Sequence, residues 1–185
     1  MVAVAVAASV AAVLRGGGSA VEIKRIVKHL LVTHGHVRRA FPRETLSAIE
    51  KAIAEVETAH VGEIRFVVEG ALDGWPLLKG QSARERALEL FSQLRVWDTQ
   101  HSNGLLIYLL LADRAVEIVA DRGIHAEVGL QGWKKVCDRM ETAFRHLDYE
   151  GGVVGGVHAV AQHLIEHFPA DRRRGNELPD EPVVV

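Results

Sequence analysis

The stretch NGLLIYLLLADRAVEIVADRGI, residues 103–124, decides the fold class. Its first part, residues 105–111, is apolar at every position, as is typical of a central strand whose two faces are both covered by helices. Asp113-Arg114 can reverse the chain, and the following residues 116–121 then predict an antiparallel partner strand. The stretch therefore predicts a strand pair inside a sheet that helices cover.

Helical and strand patterns flank this pair on both sides. Residues 62–69, GEIRFVVE, predict an earlier strand, and Ser82 with Glu85 has the spacing of a capping box that begins a helix. Apolar residues at helical spacing predict helices over residues 21–39 and from Pro42 onward, and two long helices after the strand pair. This order of elements predicts a small mixed sheet in a three-layer α/β/α sandwich.

Composition limits the class of protein. The 185 residues, 48% of them hydrophobic, suffice for one well-packed core and not for two ordinary domains. The formal net charge of −2 lacks the basic excess of nucleic-acid-binding proteins, so we expect no nucleic-acid partner. The single cysteine, Cys137, cannot form an internal disulfide, and we expect a cytoplasmic protein.

The two ends of the chain differ from its middle. Residues 1–20 are rich in Ala and Val, are too short to span a bilayer, which takes about 20 apolar residues, and carry no basic residue before Arg15. We expect a disordered leader there, with a cleaved signal peptide as the alternative. Residues 170–185 are polar and contain Pro179 and Pro182, which predicts an unstructured tail.

The predicted helix over residues 21–39 combines apolar residues with basic charge. Between Glu22 and Arg43, both included, six Lys or Arg residues stand against one acidic residue. A basic amphipathic helix can lie on an anionic membrane surface, so residues 21–39 predict a peripheral membrane contact. The alternative is that the apolar stripe of this helix packs on its own domain.

Five features in a fixed order resemble the TPM-domain family. They are GEIRFVVE, ARERALELFSQLRVWD at residues 83–98, the strand pair, the turn Asp148-Tyr149-Glu150-Gly151-Gly152, and the last amphipathic helix. The resemblance spans residues 62–168 and places a TPM domain at 61–169, preceded by N-terminal helices at 21–60. It implies a Rossmann-like α/β/α fold, divalent-cation binding as in some members, and an acid phosphatase activity.

Single residues match the family pattern at three places. Glu63 and Glu69 match the acidic ends of the first strand, and Asn103-Gly104 matches the start of the central strand. Asp113-Arg114 matches the hairpin turn. Many members continue with Gly-x-Gly and a later Thr-Asp, where this chain has Asp121-Arg122-Gly123 and Gly129-Leu130-Gln131. Because the acidic residue at the next helix start is missing, we expect phosphatase activity to be weak or absent.

Acidic residues near the predicted strand ends form a candidate metal site. They are Glu63, Glu69, Asp98, Asp113, Glu117, Asp121 and Glu127. Ca²⁺ and Mg²⁺ need several oxygen ligands, which such carboxylates can supply. The candidate ligands are Glu63, Asp98, Glu117 and Asp121, and Asp121 is also the candidate catalytic residue. The alternative is that these carboxylates pair with arginines, namely Arg65, Arg84, Arg114 or Arg122.

The hairpin register bears on this site. With a two-residue turn, Glu117 lies opposite Leu110 and Asp121 lies opposite Leu106, so both carboxylates share one face of the sheet. Burying an isolated carboxylate is strongly unfavourable. A helix on that face therefore requires each of them to be paired or bound to a cation.

His163, Glu166 and His167 match the H-x-x-E-H signature of inverted zinc proteases. Zinc also needs a third protein ligand, and no structured acidic residue is expected downstream. We therefore interpret these histidines as surface residues.

Taken together, the sequence indicates a cation-binding accessory or interaction module, with a weak metal-dependent acid phosphatase as the alternative.

Overall fold

A computed structural model describes residues 20–170 and 176–185 of the chain. The helices described are α1 (Ala20–Leu31), α2 (His34–Ala40), α3 (Arg43–Val56), α4 (Gly74–Leu78), α5 (Ala83–Gln93), α6 (Arg122–Arg145) and α7 (Tyr149–His167). The strands described are β1 (Glu63–Glu69), β2 (Gly104–Leu110), β3 (Ala115–Ala120) and β4 (Val183–Val184). The predicted leader lies outside these residues, except for Ala20 at the start of α1. No described helix combines the length and apolar character needed to cross a bilayer.

The described strands form one mixed sheet in the order β3-β2-β1-β4. Strand β1 runs parallel to β2 and β4, and β3 runs antiparallel to β2. Every residue of β1 and β2 is buried. One face packs on α3, α6 and α7, and the other on α1, α4 and α5. The predicted α/β/α sandwich with a small mixed sheet is thereby confirmed.

The hairpin register differs from the predicted one. Leu110 pairs with Ala115, so the turn comprises residues 111–114 and Glu117 lies opposite Tyr108. The turn is longer because the two residues after β2 bond to the β1 side and not to β3. Leu111 donates its N–H to the carbonyl of Glu69, and Ala112 donates its N–H to the carbonyl of Gly70. The shift by two residues keeps Glu117 on the predicted face, because side chains alternate with period two.

The helix predicted over residues 21–39 is two helices. The chain breaks at Thr33, whose backbone is extended at φ −110° and ψ 167°, and α2 starts at the next residue. The side chain of His36 accepts the backbone N–H of Thr33 at 3.2 Å. This local hydrogen bond begins a new helix instead of continuing α1.

The predicted unstructured tail is wrong for residues 176–185. Val183 and Val184 pair in parallel with Val67 and Val68 of β1. The guanidinium of Arg65 donates to backbone carbonyls of the tail, at Pro179 and, at 3.2 Å, at Glu181. The polar composition was misleading because β1 offers this segment hydrogen-bond partners that composition does not reveal. As a result, β1 lies inside the sheet instead of at its edge.

The capping box at the start of α5 offers a test of the local structure. Ser82 Oγ accepts the N–H of Glu85 at 3.1 Å, and the Glu85 carboxylate accepts the N–H of Ser82 at 2.7 Å. We predict that Ser82→Ala lowers the free energy of unfolding by about 1 kcal/mol, measured by urea denaturation. Ser92→Ala, at an exposed position inside the same helix, is the control and should change stability little. Equal stabilities for the two variants would contradict the capping role.

Candidate functional site

The four candidate metal ligands lie in two places. Glu63 begins β1, and Asp121 lies beside the first residue of β2, since its N–H donates to the carbonyl of Gly104 at 2.9 Å. Asp98 lies in the connection that leads into β2. These three residues are therefore at the amino edge of the parallel strands. Glu117 lies in the middle of β3 instead.

The structure gives three of these carboxylates other partners. Glu63 accepts the N–H of Leu178 at 3.1 Å, and Glu117 lies 3.6 Å from the guanidinium of Arg84. Asp121 caps α6 by accepting the N–H of Arg122. Among residues 20–170 and 176–185, no group of three or more His, Cys, Asp or Glu side chains is arranged to hold a metal ion.

Acidic side chains crowd under the tail at the amino edge. Burial raises the pKa of Glu57 to about 9, and the negative charges of Glu63 and Asp180 add to the effect. Burial likewise raises the pKa of Glu63, although backbone N–H groups of the tail oppose the shift. Sequence reasoning missed Glu57 and Asp180 because their proximity depends on the folded tail. The tail therefore covers the part of this edge around Glu63.

The opposite edge, where β1 and β2 end, holds a polar cluster that the sequence did not predict. Asp113 accepts from Arg25 at 2.8 Å and lies 3.1 Å from Nε2 of His29, whose side chain is fully buried. His29 Nδ1 accepts the N–H of Leu72 at 2.9 Å, so its proton is on Nε2 and is donated to Asp113. Helix α1 is thereby bound to the loops that follow both parallel strands.

Burial of Asp113 by itself would raise the pKa of this carboxyl. The hydrogen bonds from His29 and Arg25 outweigh that effect and hold the pKa at about 2. A carboxylate so strongly held is a poor proton acceptor near neutral pH.

A second ion pair lies at the same edge. Arg86 binds Glu69 through two nitrogens, with Nε at 2.8 Å and Nη2 at 3.1 Å from the carboxylate oxygens. The buried Tyr108 hydroxyl donates to the same carboxylate at 2.8 Å. Burial and the charge of Glu69 raise the pKa of Tyr108. Glu69 is therefore neutralised within the protein, which explains how an acidic strand end is buried.

A cleft of about 850 Å³, called here the basic cleft, opens beside this cluster between α1, α2, the turn after β2 and the start of α7. Part of its lining is apolar, and these residues are Leu31, Val32, Ala40, Pro42, Leu111, Ala112, Leu147 and Tyr149. The cationic side chains of Lys28, Arg39 and Arg114 also line it. All three are exposed, and none of them forms an ion pair with a described residue.

The acidic side chains that line the basic cleft have partners. Asp148 caps α7 by accepting the N–H of Gly151 at 2.9 Å. Glu150 accepts the hydroxyl of Thr45 at 2.8 Å. The cleft therefore combines unpaired positive charge with carboxylates that are already engaged. The one sequence signal for it was the basic excess of residues 22–43.

The residues of the H-x-x-E-H signature lie on α7. In the part of the chain that the structure describes, they do not belong to any group of three or more side chains that could hold a metal ion. The ring of His163 contacts Trp133 edge-on, with 5.7 Å between ring centroids. His167 lies 3.7 Å from Glu127. These contacts fit the interpretation of the histidines as residues at the helix surface.

The low pKa of Asp113 predicts a pH dependence. Since the folded-state pKa of about 2 lies below the ordinary 3.8, the interaction stabilises the fold above pH 3.8 and is lost as pH falls toward 2. We predict that Asp113→Asn lowers the free energy of unfolding at neutral pH by about 1 kcal/mol and flattens its fall in acid. Asp138→Asn, at an exposed ion pair with Lys134, is the control. Identical pH profiles for Asp113→Asn and the unaltered protein would contradict this role.

Binding of Ca²⁺ or Mg²⁺ near Glu63, Asp98, Glu117 or Asp121 stays a prediction. A bound cation should raise the melting temperature by mass action and shift amide resonances at the amino edge. Asp98→Asn is the variant of choice, because Asp98 is exposed and its change should leave the fold intact. An unchanged melting curve and unshifted resonances at millimolar cation would show that no such site exists.

Comparison with known proteins agrees with the fold. The chain is similar to the BA42 protein of the psychrophilic bacterium Bizionia argentinensis, with a TM-score of 0.68 and 27% identity over 77% of this chain and 93% of that one. It is also similar to the N-terminal domain of a P. gingivalis protein, with a TM-score of 0.51 and 25% identity over 66% and 76% of the two chains. No curated protein matches. The TPM domain family model matches residues 38–163, more than half of the chain, and this protein belongs to the TPM-domain family.

Proposed function

We propose that this TPM domain is an interaction module that binds an anionic ligand with an apolar part in the basic cleft. The position of the cleft supports the proposal. It lies beside the residues that follow β2, at the carboxyl edge of the parallel strands. Ligands of open α/β sheets bind outside the carboxyl ends of their strands.

The observation that carries the proposal is that, within the described residues, the acidic side chains of the cleft have partners and the cationic ones do not. Lys28, Arg39 and Arg114 have no ion-pair partner in the described part of the chain. Asp148 and Glu150 instead accept hydrogen bonds from a helix start and a hydroxyl. A phosphate or carboxylate group would satisfy the cations, and the apolar lining would cover a ring or chain attached to it.

The same geometry favours binding over catalysis. Hydrolysis of a phosphate monoester requires a positioned nucleophile or a metal-bound water in addition to charge stabilisation. Asp113, which lies at this edge of the sheet, is held by two donors and is a poor base at neutral pH. We therefore propose that phosphatase activity is weak or absent, and that a metal-dependent phosphatase is the second candidate function.

Titration with phenyl phosphate, followed by amide NMR, tests the proposal. We predict saturable shifts around the basic cleft and a weaker response to neutral phenol, because the cations contribute to the affinity. Arg39→Gln and Arg114→Asn should each weaken binding about two- to fivefold, as expected of solvent-exposed charge pairs. Asparagine suits position 114, whose φ is 53°. The control is Lys135→Gln on the exposed surface of α6, which should bind normally.

Equal binding of phenol and phenyl phosphate, or shifts confined to another surface, would contradict the proposed ligand class. Release of nitrophenol from 4-nitrophenyl phosphate tests the second candidate. Rapid release that needs Mg²⁺ and that Asp121→Asn abolishes would favour a metal-dependent phosphatase over a binding module. Rapid release in excess chelator would contradict both the binding module with weak or absent activity and the metal-dependent phosphatase.

A further inference from the structure

Helix α1 has an inner and an outer side. On the inner side, Ile26 is 7% and His29 is 3% exposed, and both residues pack on the domain. This packing uses part of the apolar stripe of the helix, as the alternative to membrane contact requires. It does not use the whole stripe.

The outer side, called here the α1 outer face, consists of Lys24, Val27, Lys28 and Leu31. Their spacing places them on one side of a helix, one turn after another. Val27 is 45% and Leu31 is 67% exposed, and both lysines are exposed. Leu30, at the border of this face, is 40% exposed. The face therefore offers apolar side chains flanked by amines.

The chain just after α1 is also basic, and Arg39 lines the basic cleft together with Lys28 and Leu31 of this face. Arg38, Arg39 and Arg43 are exposed on and just after α2, and none of them forms an ion pair with a described residue. Between Glu22 and Arg43, both included, six residues are basic and one is acidic, whereas the whole chain has a net charge of −2. Arg25 is paired with Asp113, and the other five form no ion pair with a described residue. Positive charge is therefore concentrated in this segment of a chain that is slightly negative as a whole.

We propose that the α1 outer face lies on the surface of an anionic lipid bilayer. Charge complementarity selects this partner, because the anionic headgroups attract the lysines and arginines while Val27 and Leu31 enter the interface between headgroups and acyl chains. Leu147, which lines the basic cleft with Leu31, is 69% exposed and extends the apolar surface beside the face. An acidic protein surface would attract the lysines but would not require apolar side chains to enter it.

This inference goes beyond the proposed function, since bilayer binding does not require an occupied cleft. Lys28 and Leu31 contribute to both surfaces, but Lys24 and Val27 do not line the basic cleft. Variants of Lys24 and Val27 therefore separate the two. Lys24→Glu should weaken bilayer binding and leave the affinity for phenyl phosphate nearly unchanged.

Sedimentation of the full chain with vesicles tests the inference. The vesicles contain phosphatidylcholine alone or mixed with phosphatidylserine. We expect sedimentation with the mixed vesicles and not with the neutral ones, and release at high salt, because the attraction is electrostatic. Lys24→Glu and Val27→Ser should each weaken binding, the lysine variant at least about fivefold, which corresponds to the contribution of one basic residue near the surface.

Two variants on other surfaces are matched controls, namely Lys135→Glu and Leu130→Ser, the latter at a residue that is 70% exposed. Both should sediment as the unaltered protein does. Equal sedimentation with neutral and anionic vesicles would overturn the inference, as would equal losses in the control variants. Binding to phenyl phosphate with no binding to either vesicle would leave the proposed function standing and overturn the inference alone.

Discussion

The carboxylate of Asp113, shared by Arg25 and His29, is the interaction on which the functional part of the structure depends. His29 is fully buried and links α1 to two loops at once, because it donates to Asp113 and accepts from the backbone of Leu72. A partly buried carboxylate is stable when hydrogen-bond donors satisfy it, and here a charged guanidinium and a neutral imidazole both donate to Asp113. Without this link, α1 would keep little more than Ile26 as an anchor in the core.

The link determines what the two sides of α1 can do. It turns the helix so that Lys28 and Leu31 line the basic cleft, while Lys24 and Val27 face away from the domain. The two ends of the parallel strands thereby differ in character. At the amino edge, the tail closes over Glu63, and at the carboxyl edge the basic cleft stays open.

Local features of the fold could be predicted from the sequence, because they depend on residues close together in the chain. The apolar run of β2 indicated a strand buried on both faces, and Ser82 with Glu85 indicated the start of α5. The candidate site could not be predicted in the same way. His29 and Asp113 are separated by 84 residues, and no periodicity indicates that they meet. Tyr108, within an apolar run, likewise gave no sign of its bond to Glu69.

The surroundings of the four predicted metal ligands could likewise be predicted only in part from the sequence. The sequence indicated only that Glu63, Asp98 and Asp121 lie near strand ends. The structure brings them to one edge of the sheet because β1 and β2 run parallel. Their hydrogen-bond partners depended on the folded tail and on the start of α6, and the sequence had suggested disorder for the tail. Glu117 pairs with Arg84, one of the arginines considered beforehand, because both face the same side of the sheet.

The central claim is that α1, held by His29 and Asp113, forms a wall of a cleft that binds anions. The most direct test is the affinity of His29→Ala for phenyl phosphate, measured by amide NMR together with hydrogen exchange of α1. His29 does not line the basic cleft, so any loss of affinity must arise from displacement of the helix. We predict that the amides of α1 lose protection and that affinity falls together with it, while the sheet stays protected. Unchanged affinity in a protein whose α1 has lost its protection would contradict the claim.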